Sequence, residues 1–319
     1  MNNKIIVISG PTASGKSALA LNFSLENGNS DKFSIINADS LQIYHGLPIL
    51  SSQPTKEEQQ KVPHFLYSTF NPDETSSVGA WLRLVKNTVE KSWEEGKTPI
   101  IVGGSGMYIS KLIDGICEIP EISDDIREGS RELFEQIGIE EFREKLLNLD
   151  KDNLSEEEIK SQKSKIAQLD KQRLIRRYEV LQQTGKSLAW WQNQSNKVLF
   201  DEKIITHINL NPDRDELYKN CNLRFELMLE NGAIDEVENL LELDLEENSA
   251  IYNTLGFTQI VDFLNGEISE DEAVKIASQK TRNYAKRQLT WFRNQLPNKE
   301  TFSNPKQALD FLRKLPKNS

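Results

Sequence analysis

The sequence predicts an α/β fold, in which helices flank a parallel sheet and a helical insertion domain interrupts the chain. Three observations predict it. Several short runs are apolar throughout, which indicates strands buried on both faces of a parallel sheet, and amphipathic stretches separate these runs. The first run leads into residues 10–17, which match the G-x-x-x-x-G-K-[ST] pattern of a phosphate-binding loop. We therefore expect a P-loop-type sheet as the core.

The first 119 residues supply most of this core in order. The β-branched run at residues 5–9 predicts the first strand, and runs at 33–38 and 99–102 predict the second and third. Residues 16–25 and 77–95 carry apolar side chains at helical spacing and predict the intervening helices. Because ligands of such sheets bind where the carboxyl ends of the strands meet loops, we expect the functional site at that edge.

The composition changes after Pro120. Residues 118–158 carry 15 acidic and 5 basic side chains, whereas residues 160–200 carry nine basic and two acidic ones, both with helical patterning. Residues 203–210 predict a returning strand, and helices follow to about Leu296. The predicted domains are a catalytic core at 1–119 and 201–300, a helical insertion at 120–200, and a polar C-terminal tail at 301–319.

The net charge of −10 argues at first against a nucleic-acid binder, whose binding surface is normally basic. However, the surplus of ten acidic groups in residues 118–158 (15 minus 5) equals the whole net charge, and residues 273–299 carry seven basic and no acidic side chains. Two cysteines without a CxxC pattern, Cys117 and Cys221, disfavour a disulfide framework or a cysteine zinc site. No apolar run approaches the ~18 residues that span a membrane, so we expect a cytoplasmic protein without a membrane partner.

The phosphate-binding loop predicts a phosphorylated ligand. Its glycines allow the backbone to bend, its N–H groups point at phosphate oxygens, and the following helix adds a favourable dipole. Lys16 would neutralise phosphate charge, and the Ser17 hydroxyl is the expected Mg²⁺ ligand. The third strand ends in glycines rather than a magnesium-binding aspartate, and no Asn-Lys-x-Asp motif is present. A nucleotide switch is therefore disfavoured, while a transferase using a small phosphorylated donor stays open.

Two polar residues follow strands at the same edge. Asp39 comes after the second strand and could accept a proton from an incoming nucleophile while the loop holds a leaving phosphate. A helix N-cap, or an indirect contact with a magnesium ion, is the less favoured alternative for this side chain. Ser105 lies in the glycine turn after the third strand and could donate a hydrogen bond to the reacting group, although a simple tight turn explains it as well.

Five ordered motifs resemble tRNA dimethylallyltransferases of the bacterial type, also called tRNA isopentenyltransferases. They are the phosphate loop at 10–17, NADSLQIY at 37–44, VPH at 62–64, PIIVGGSGMY at 99–108 and TRNYAKRQLTWFR at 281–293. The resemblance covers about residues 4–296. It implies transfer of a dimethylallyl group from dimethylallyl diphosphate to N6 of adenine 37, beside the anticodon of tRNAs that read codons beginning with U. It further implies a Mg²⁺ cofactor, the tRNA anticodon stem-loop as partner, and a monomer.

The resemblance assigns roles to residues at matching positions. The implied catalytic residues are Asp39 as base, Ser105 at the reacting centre, and Lys16. The diphosphate would be bound by Gly10, Pro11, Thr12, Ala13, Ser14, Gly15, Lys16, Ser17 and Arg224. The tRNA would be bound by Asp39, Ser40, Leu41, Gln42, Ser105, Gln172, Arg173, Leu174, Ile175, Arg176, Asn253, Thr254, Leu255, Gly256, Phe257, Thr258, Lys286, Arg287, Gln288, Leu289, Thr290, Trp291, Phe292 and Arg293.

Some of these segments also have simpler explanations. Residues 172–177 could be a solvated helix face, and residues 281–293 a basic helix that docks on the acidic segment, with Trp291 and Phe292 in the core. The pair Trp190 and Trp191 could stack on bases, but packing within the insertion is favoured. A small-molecule kinase, an adenine-nucleotide prenyltransferase and a non-catalytic tRNA-binding protein are the alternative functions.

The chain departs from the family pattern in two places. The usual Ile-His-Pro-Asn-Asp is Ile-Ala-Gln-Leu-Asp at 166–170, and the usual Thr-Ala-Lys-Pro is Ser-Ser-Gln-Pro at 51–54. The first change removes a histidine and an asparagine, and the second removes a lysine near the expected site. We expect local contacts to differ at both positions.

Overall fold

The structure is a computed structural model that describes residues 3–28, 30–150, 163–246, 249–296 and 299–315. The chain divides into two compact units. The first unit comprises residues 1–114 and 198–319, and the second unit comprises residues 115–197. Parts of three predicted segments lie outside the described residues. They are residues 151–158 of the acidic stretch, Lys160 of the basic stretch and the last four residues of the expected tail.

The first unit is built on a parallel sheet, as the uninterrupted apolar runs predict. Its strands are β1 (Ile5–Ser9), β2 (Phe33–Asn37), β3 (His64–Phe65), β4 (Thr98–Gly103), β5 (Ile205–Leu210) and β6 (Glu300–Phe302). Their order in the sheet is β3-β2-β4-β1-β5-β6, and each neighbouring pair is parallel. The central strands carry isoleucine and valine on both faces, and β1 is buried along its whole length. The predicted fold class is therefore confirmed.

Helices flank this sheet and also form the second unit. In chain order they are α1 (Lys16–Leu25), α2 (Lys56–Lys61), α3 (Val78–Glu94), α4 (Gly106–Asp114), α5 (Asp124–Asp150), α6 (Lys171–Thr184), α7 (Leu188–Gln192), α8 (Arg214–Glu230), α9 (Ala233–Leu241), α10 (Phe257–Leu264), α11 (Glu270–Gln295) and α12 (Pro305–Leu312). Helix α3 shows how the sequence sets these boundaries. The Ser77 hydroxyl accepts a hydrogen bond from the Ala80 N–H at its start, and Trp81, Val85 and Val89 form its buried stripe.

The structure corrects the expected polar tail at 301–319. Residues 300–302 form the edge strand β6, which pairs with β5, and α12 follows it. Ala308 and Leu312 are buried in one apolar cluster with Leu19 and Ala20 of α1. The sequence does not predict the strand in this tail because β6 is only three residues long and two of these residues are exposed. The short strand β3 was missed for the same reason of length.

The described part of the second unit, residues 115–150 and 163–197, consists of helices and turns with one antiparallel bridge between Ile116 and Lys197. Helix α5 is broken at Gly138, which has a φ of 75° that glycine adopts without strain. A buried cluster containing Phe134, Phe142 and Leu174 joins α5 to α6. The unit therefore has a core of its own, between boundaries close to the expected 120–200.

Candidate active site

The phosphate loop connects β1 to α1 and is shaped to receive an anion. Gly15, with a φ of 83°, precedes α1 and supplies no side-chain cap, so the first amides of the helix face the loop. Ala13 also has a positive φ, 61°, which is unusual for a residue with a β-carbon. The buried Ser14 hydroxyl has no hydrogen-bond partner among the described residues. The Lys16 ammonium folds back and donates to the Pro11 carbonyl at 3.1 Å. Together these groups offer N–H, O–H and ammonium donors to a phosphate.

Asp39 follows β2 and is held from two sides. The Asn37 side chain accepts a hydrogen bond from the Asp39 N–H at 2.8 Å and donates to its carbonyl at 2.9 Å and to that of Leu66 at 3.0 Å. One carboxylate oxygen of Asp39 accepts from the Leu41 N–H at 3.1 Å. No helix begins at Asp39, so it does not have the helix-capping role that was considered; its side chain holds a local turn through one oxygen. A proton acceptor is still available on the same carboxylate.

Ser105, in the turn after β4, reaches the loop that carries Asp39. Its hydroxyl oxygen accepts from the Ser40 N–H at 2.9 Å, and its hydroxyl lies 3.2 Å from the Ser40 hydroxyl. The backbone also crosses between the loops, because the Ser105 N–H donates to the Ala38 carbonyl at 3.3 Å. Ser105 is thus beside Asp39 in space, as the sequence predicts, and its hydroxyl is partly used to hold the two loops together.

Charged groups converge on Asp39. The pKa of Lys16 is lowered to about 8, chiefly because burial penalises its charge, while Asp39 opposes that shift. Burial also lowers the pKa of the Arg224 guanidinium, and Asp39 again opposes the shift. Lys16 and Arg224 interact with each other as like charges. Two partly desolvated cations lie around one carboxylate, so their positive charge is not fully balanced within the site. A bound diphosphate would supply the missing negative charge.

Two tyrosines complete this environment. Burial raises the pKa of Tyr67 and of Tyr284 well above the usual value, and Asp39 raises both further. Both phenols are therefore neutral near pH 7 and can donate hydrogen bonds. Arg287 lies over the Tyr284 ring at 5.5 Å from the centroid. Neither tyrosine was among the expected site residues, although Tyr284 lies inside the 281–293 motif.

Glycines let the loops approach closely. A β-carbon at Gly103 would lie 2.0 Å from the Ala38 carbonyl oxygen, and one at Gly106 would lie 2.2 Å from the Trp291 ring. A β-carbon at Gly104 would lie 2.5 Å from the Gln288 amide nitrogen. The run of glycines after β4 is therefore required by packing as well as by the turn.

Two cavities share part of their lining. The larger, of about 1550 Å³, contains the phosphate loop, Asp39 and Arg224 in its lining. The smaller, of about 450 Å³, lies against Ser105, Gly106 and Trp291. The residues that line both are Ser40, which follows Asp39 in the chain, Ser76, Tyr108, Tyr284 and Arg287. A ligand in each cavity could therefore approach the other at these shared residues.

The Gln288 side chain bonds to two backbone groups. Its side-chain oxygen accepts from the Thr12 N–H at 2.8 Å, and its side-chain nitrogen donates to the Gly104 carbonyl at 2.8 Å. The side chain is 6% exposed. One expectation needs correction, because the Thr12 N–H donates to Gln288 rather than to a ligand. The Gln288 amide is bonded to backbone groups at both ends, and the residue lines the smaller cavity.

The remaining expected tRNA contacts in the first unit divide by burial. Thr254, Gly256, Phe257 and Phe292 are buried, so the expected stretches contain structural residues. Gly256 has a φ of 92°, and a β-carbon there would collide with Phe225. The other expected positions are exposed or partly exposed, namely Ser40, Leu41, Gln42, Asn253, Leu255, Thr258, Lys286, Arg287, Leu289, Thr290, Trp291 and Arg293. The buried face of α11 packs on α8, α10 and α4.

Within the second unit, α6 carries the expected contacts on two faces. Gln172, Arg173 and Arg176 are exposed, whereas Leu174 and Ile175 belong to the buried cluster and cannot contact an RNA with their side chains. Five consecutive residues span more than one helical turn, so some of their side chains point to solvent and others to the core.

The tryptophan pair of the second unit also divides by exposure. The Trp191 ring N–H donates to the Thr184 hydroxyl, as expected for packing within this unit. Trp190 is 43% exposed, and the Lys186 ammonium lies 5.6 Å from its ring centroid. Trp190 is therefore the more exposed of the two and presents an aromatic surface that could contact a base, whereas Trp191 is half-buried.

The two departures from the family pattern have structural explanations. Gln53, where the family has lysine, donates to the Tyr44 carbonyl at 2.9 Å and accepts from the Ser68 hydroxyl at 2.7 Å. Its amide therefore holds the loop that lines the larger cavity. At 166–170, Ile166 is buried and the Asp170 side chain caps α6 by accepting from the Arg173 N–H. Both segments keep a structural role without the missing residues.

The described residues contain no group of three or more His, Cys, Asp or Glu side chains placed to hold a metal ion. In the same part of the chain, no helix combines the length and the apolar character needed to cross a membrane.

Comparison with known proteins gives a consistent result. The profile of the family described as IPP transferase matches residues 42–295. The tRNA dimethylallyltransferase of Wolbachia pipientis wMel is 42% identical over 301 residues, which are 94% of this chain and 95% of that protein. The protein of the same name from Caulobacter sp. (strain K31) is 41% identical over 299 residues, 94% of this chain and 92% of that one.

Solved structures agree with these relatives. The tRNA isopentenylpyrophosphate transferase of Bacillus halodurans superimposes with a TM-score of 0.65 at 26% identity, covering 98% of this chain and 96% of that chain. The tRNA delta(2)-isopentenylpyrophosphate transferase of Staphylococcus epidermidis gives 0.64 at 28% identity, covering 97% of each. A eukaryotic dimethylallyltransferase, at 21% identity, shares the fold with a TM-score of 0.77, over 99% of this chain and 81% of that one.

Proposed function

The chain belongs to the IPP transferase family, as its motifs predict, and on that premise we propose that it is a tRNA dimethylallyltransferase. It transfers a dimethylallyl group from dimethylallyl diphosphate to N6 of adenine 37 in tRNAs that read codons beginning with U. The products are N6-isopentenyladenosine and diphosphate. A cytoplasmic monomer is part of the same proposal.

The observation that carries this proposal is that the cavity lined by Asp39 shares five lining residues with a second cavity. The larger contains the phosphate loop and Arg224, which suit a diphosphate, and the smaller is lined by Ser105 and Trp291, which suit a base. The shared residues between them offer one place where a donor carbon and an acceptor nitrogen can meet. An exocyclic amine held there must leave its base stack, at a cost of a few kcal/mol.

The chemistry follows from the charges at this place. The exocyclic amine of adenine is a poor nucleophile because its lone pair is delocalised into the ring. As N6 bonds to the first carbon of the donor, the carbon–oxygen bond to diphosphate breaks and the N6 proton passes to the Asp39 carboxylate. Lys16, Arg224 and the amides at the start of α1 stabilise the charge that develops on the leaving diphosphate.

The residues at the loop also fit a magnesium ion. Mg²⁺ commonly takes only one or two protein oxygens together with substrate phosphates and water. The exposed Ser17 hydroxyl at the first turn of α1 lines the same cavity as Lys16, and Asp39 lines it too. Ser17 would hold the ion, which would supply further positive charge to the leaving diphosphate.

Recognition of the tRNA is assigned to exposed and half-buried basic and polar residues. In the first unit these are the exposed Lys286, Arg287 and Arg293 on α11, together with the half-buried Gln42. In the second unit the exposed side chains of Gln172, Arg173 and Arg176 on α6 serve the anticodon stem-loop. Guanidinium and ammonium groups suit phosphate contacts, which set affinity and orientation more than sequence preference.

The experiment that tests this function offers rival acceptors in one reaction. The protein is incubated with labelled dimethylallyl diphosphate, undermodified tRNA, AMP and ATP, and the label is located after separation. We expect label in tRNA alone. Label in AMP but not in tRNA would indicate an adenine-nucleotide prenyltransferase, and ATP consumption without prenylation would indicate a kinase; either result contradicts the proposal.

A further inference from the structure

The side chain of Gln288 joins the two loops between which the reaction is proposed to occur. It accepts from the N–H of Thr12 in the phosphate loop and donates to the carbonyl of Gly104, the residue before Ser105, at 2.8 Å in each case. A single buried amide therefore links the diphosphate side of the site to the acceptor side.

The orientation of this amide is fixed by its partners. A backbone N–H can only donate, so Thr12 requires the side-chain oxygen, and a carbonyl can only accept, so Gly104 requires the side-chain nitrogen. Rotating the amide by half a turn would oppose like groups at both ends. Because Gln288 is only 6% exposed, water cannot readily replace either hydrogen-bond partner. Removing the amide would therefore leave a buried donor and a buried acceptor unpaired.

The local structure is built to admit this side chain. A β-carbon at Gly104 would lie 2.5 Å from the Gln288 amide nitrogen, so the absence of a side chain there leaves room for this amide. Helix α11, which carries Gln288, is packed along its buried face against α8, which carries Arg224. The link therefore reaches a rigid element rather than another loop.

We propose that Gln288 is a positioning residue that sets the distance between the phosphate loop and the Ser105 turn, and so aligns the donor with the acceptor. This inference rests on the proposed function, since it concerns the same reaction. Gln288 lines the smaller cavity, but both ends of its amide are bonded to Thr12 and Gly104, and it acts through these two residues. A small misplacement of reacting groups can cost on the order of 10²-fold in rate, so the loss of this link is expected to affect the chemical step.

The first test replaces the amide by an apolar group of similar size, Gln288→Leu. We expect kcat to fall by about tenfold or more and inorganic pyrophosphate to bind more weakly, with the Kd for tRNA within about twofold of the unmodified protein. Gln279→Leu makes the same substitution on the exposed face of α11 and should change none of these values. A rise in the Kd for tRNA with kcat and pyrophosphate binding unchanged would assign Gln288 to the tRNA and overturn the proposal.

The second test uses Gln288→Glu, which retains the oxygen that Thr12 needs. Its ionised carboxylate would face the Gly104 carbonyl, but the protonated acid could donate to that carbonyl as the amide does. The ratio of the kcat of Gln288→Glu to that of the unmodified protein should therefore rise as the pH falls. A ratio that does not change with pH would contradict the link. Because this variant keeps the polar shape of the site, it also carries the test if Gln288→Leu does not fold.

The failure of this proposal can be told apart from failure of the proposed function. If the unmodified protein does not prenylate tRNA, the function is wrong, while pyrophosphate binding by both variants still reports on the link. If the unmodified protein is active and both variants match it in kcat and pyrophosphate affinity, only the role of Gln288 is wrong.

Discussion

Asp39 is placed by Asn37, Leu41 and the Ser105 turn, so its carboxylate is oriented before any substrate binds. One of its oxygens caps the local turn, and the other is left to accept a proton. Lys16 and Arg224 lie near enough to interact with it electrostatically. Asp39 can accept the proton of the attacking amine, and the two cations can hold the leaving diphosphate. This arrangement suits a displacement at the donor carbon that lies between the amine and the diphosphate.

The conservative variant Asp39→Asn separates the two roles of this side chain. Its amide oxygen can still accept from the Leu41 N–H, so the loop should keep its shape, but it cannot take up a proton. We expect the single-turnover rate of prenyl transfer to fall by about 10²–10⁴-fold with tRNA binding largely intact. Asp39→Ala removes the cap as well, and should differ from Asp39→Asn in stability more than in rate. An equal loss of transfer and tRNA binding in Asp39→Asn would count against the base.

Lys16 gives the site a pH dependence. Burial lowers its pKa to about 8, and the charged form binds a diphosphate better than the neutral form. The free protein therefore carries this charge below about pH 8 and loses it as the pH rises further. We expect the KM for the donor to be flat below pH 8 and to rise by about tenfold for each pH unit above it, because one proton is linked to binding.

The matched control for this titration is Lys16→Arg. A guanidinium stays charged over the whole range, so the variant should lose the rise in KM whatever its absolute affinity. A donor KM that rises identically in both proteins would show that another group titrates.

At the scale of elements, much of the sheet could be predicted from the sequence. The strands β1, β2, β4 and β5 are at least five residues long and each contains two or more isoleucines, and the sequence predicts all four. The strands β3 and β6 have two and three residues, too few to show a pattern, and they form only because a neighbouring strand offers an open edge.

The residues of the site were likewise only partly predictable from the sequence. The phosphate loop, Asp39 and Ser105 follow strands directly, so their place at one edge of the sheet could be predicted from order alone. The role of Gln288 could not, because its partners Thr12 and Gly104 are remote in sequence and a basic motif does not show which of its residues face inward. Tyr67 was missed for a similar reason, since it follows the unrecognised strand β3.

The C-terminal helix α12 supports the phosphate loop through α1. Leu312 is 1% exposed in the cluster that contains Leu19, and Pro305 lies against Gly15. We expect Leu312→Ala to lower the free energy of unfolding by about 2–5 kcal/mol, because it leaves a cavity between packed elements. Leu241→Ala, at a residue 44% exposed on α9, should change it by about 0.5 kcal/mol or less. Similar values for the two variants, measured by denaturant unfolding, would contradict this packing.

At the scale of the whole molecule, the distribution of charge matters more than its total. The net charge is −10, yet residues 160–200 and 273–299 are strongly basic. The exposed members of these segments include Arg173 and Arg176 on α6 and Lys286, Arg287 and Arg293 on α11. An acidic protein with localised basic surfaces is expected to bind RNA through few phosphate contacts and to lose affinity as salt is added.

The salt dependence of tRNA binding tests this distribution. Arg173 is exposed and pairs with Asp170 only across 3.4 Å at the surface. We expect Arg173→Ala to weaken binding and to reduce the slope of log K against log salt by about one. Lys86→Ala removes an exposed positive charge from α3, outside the expected contacts, and should leave the slope unchanged. Equal slopes for Arg173→Ala and the unmodified protein would remove α6 from the proposed interface.

The proposed reaction as a whole is tested most directly by locating the transferred group. Two anticodon stem-loops are offered with dimethylallyl diphosphate, one carrying adenine at position 37 and one carrying guanine there, and their nucleosides are identified by mass spectrometry. The account predicts N6-isopentenyladenosine from the first stem-loop at position 37 and no product from the second. Equal modification of both stem-loops, or a prenyl group at any other position of the first, would contradict it.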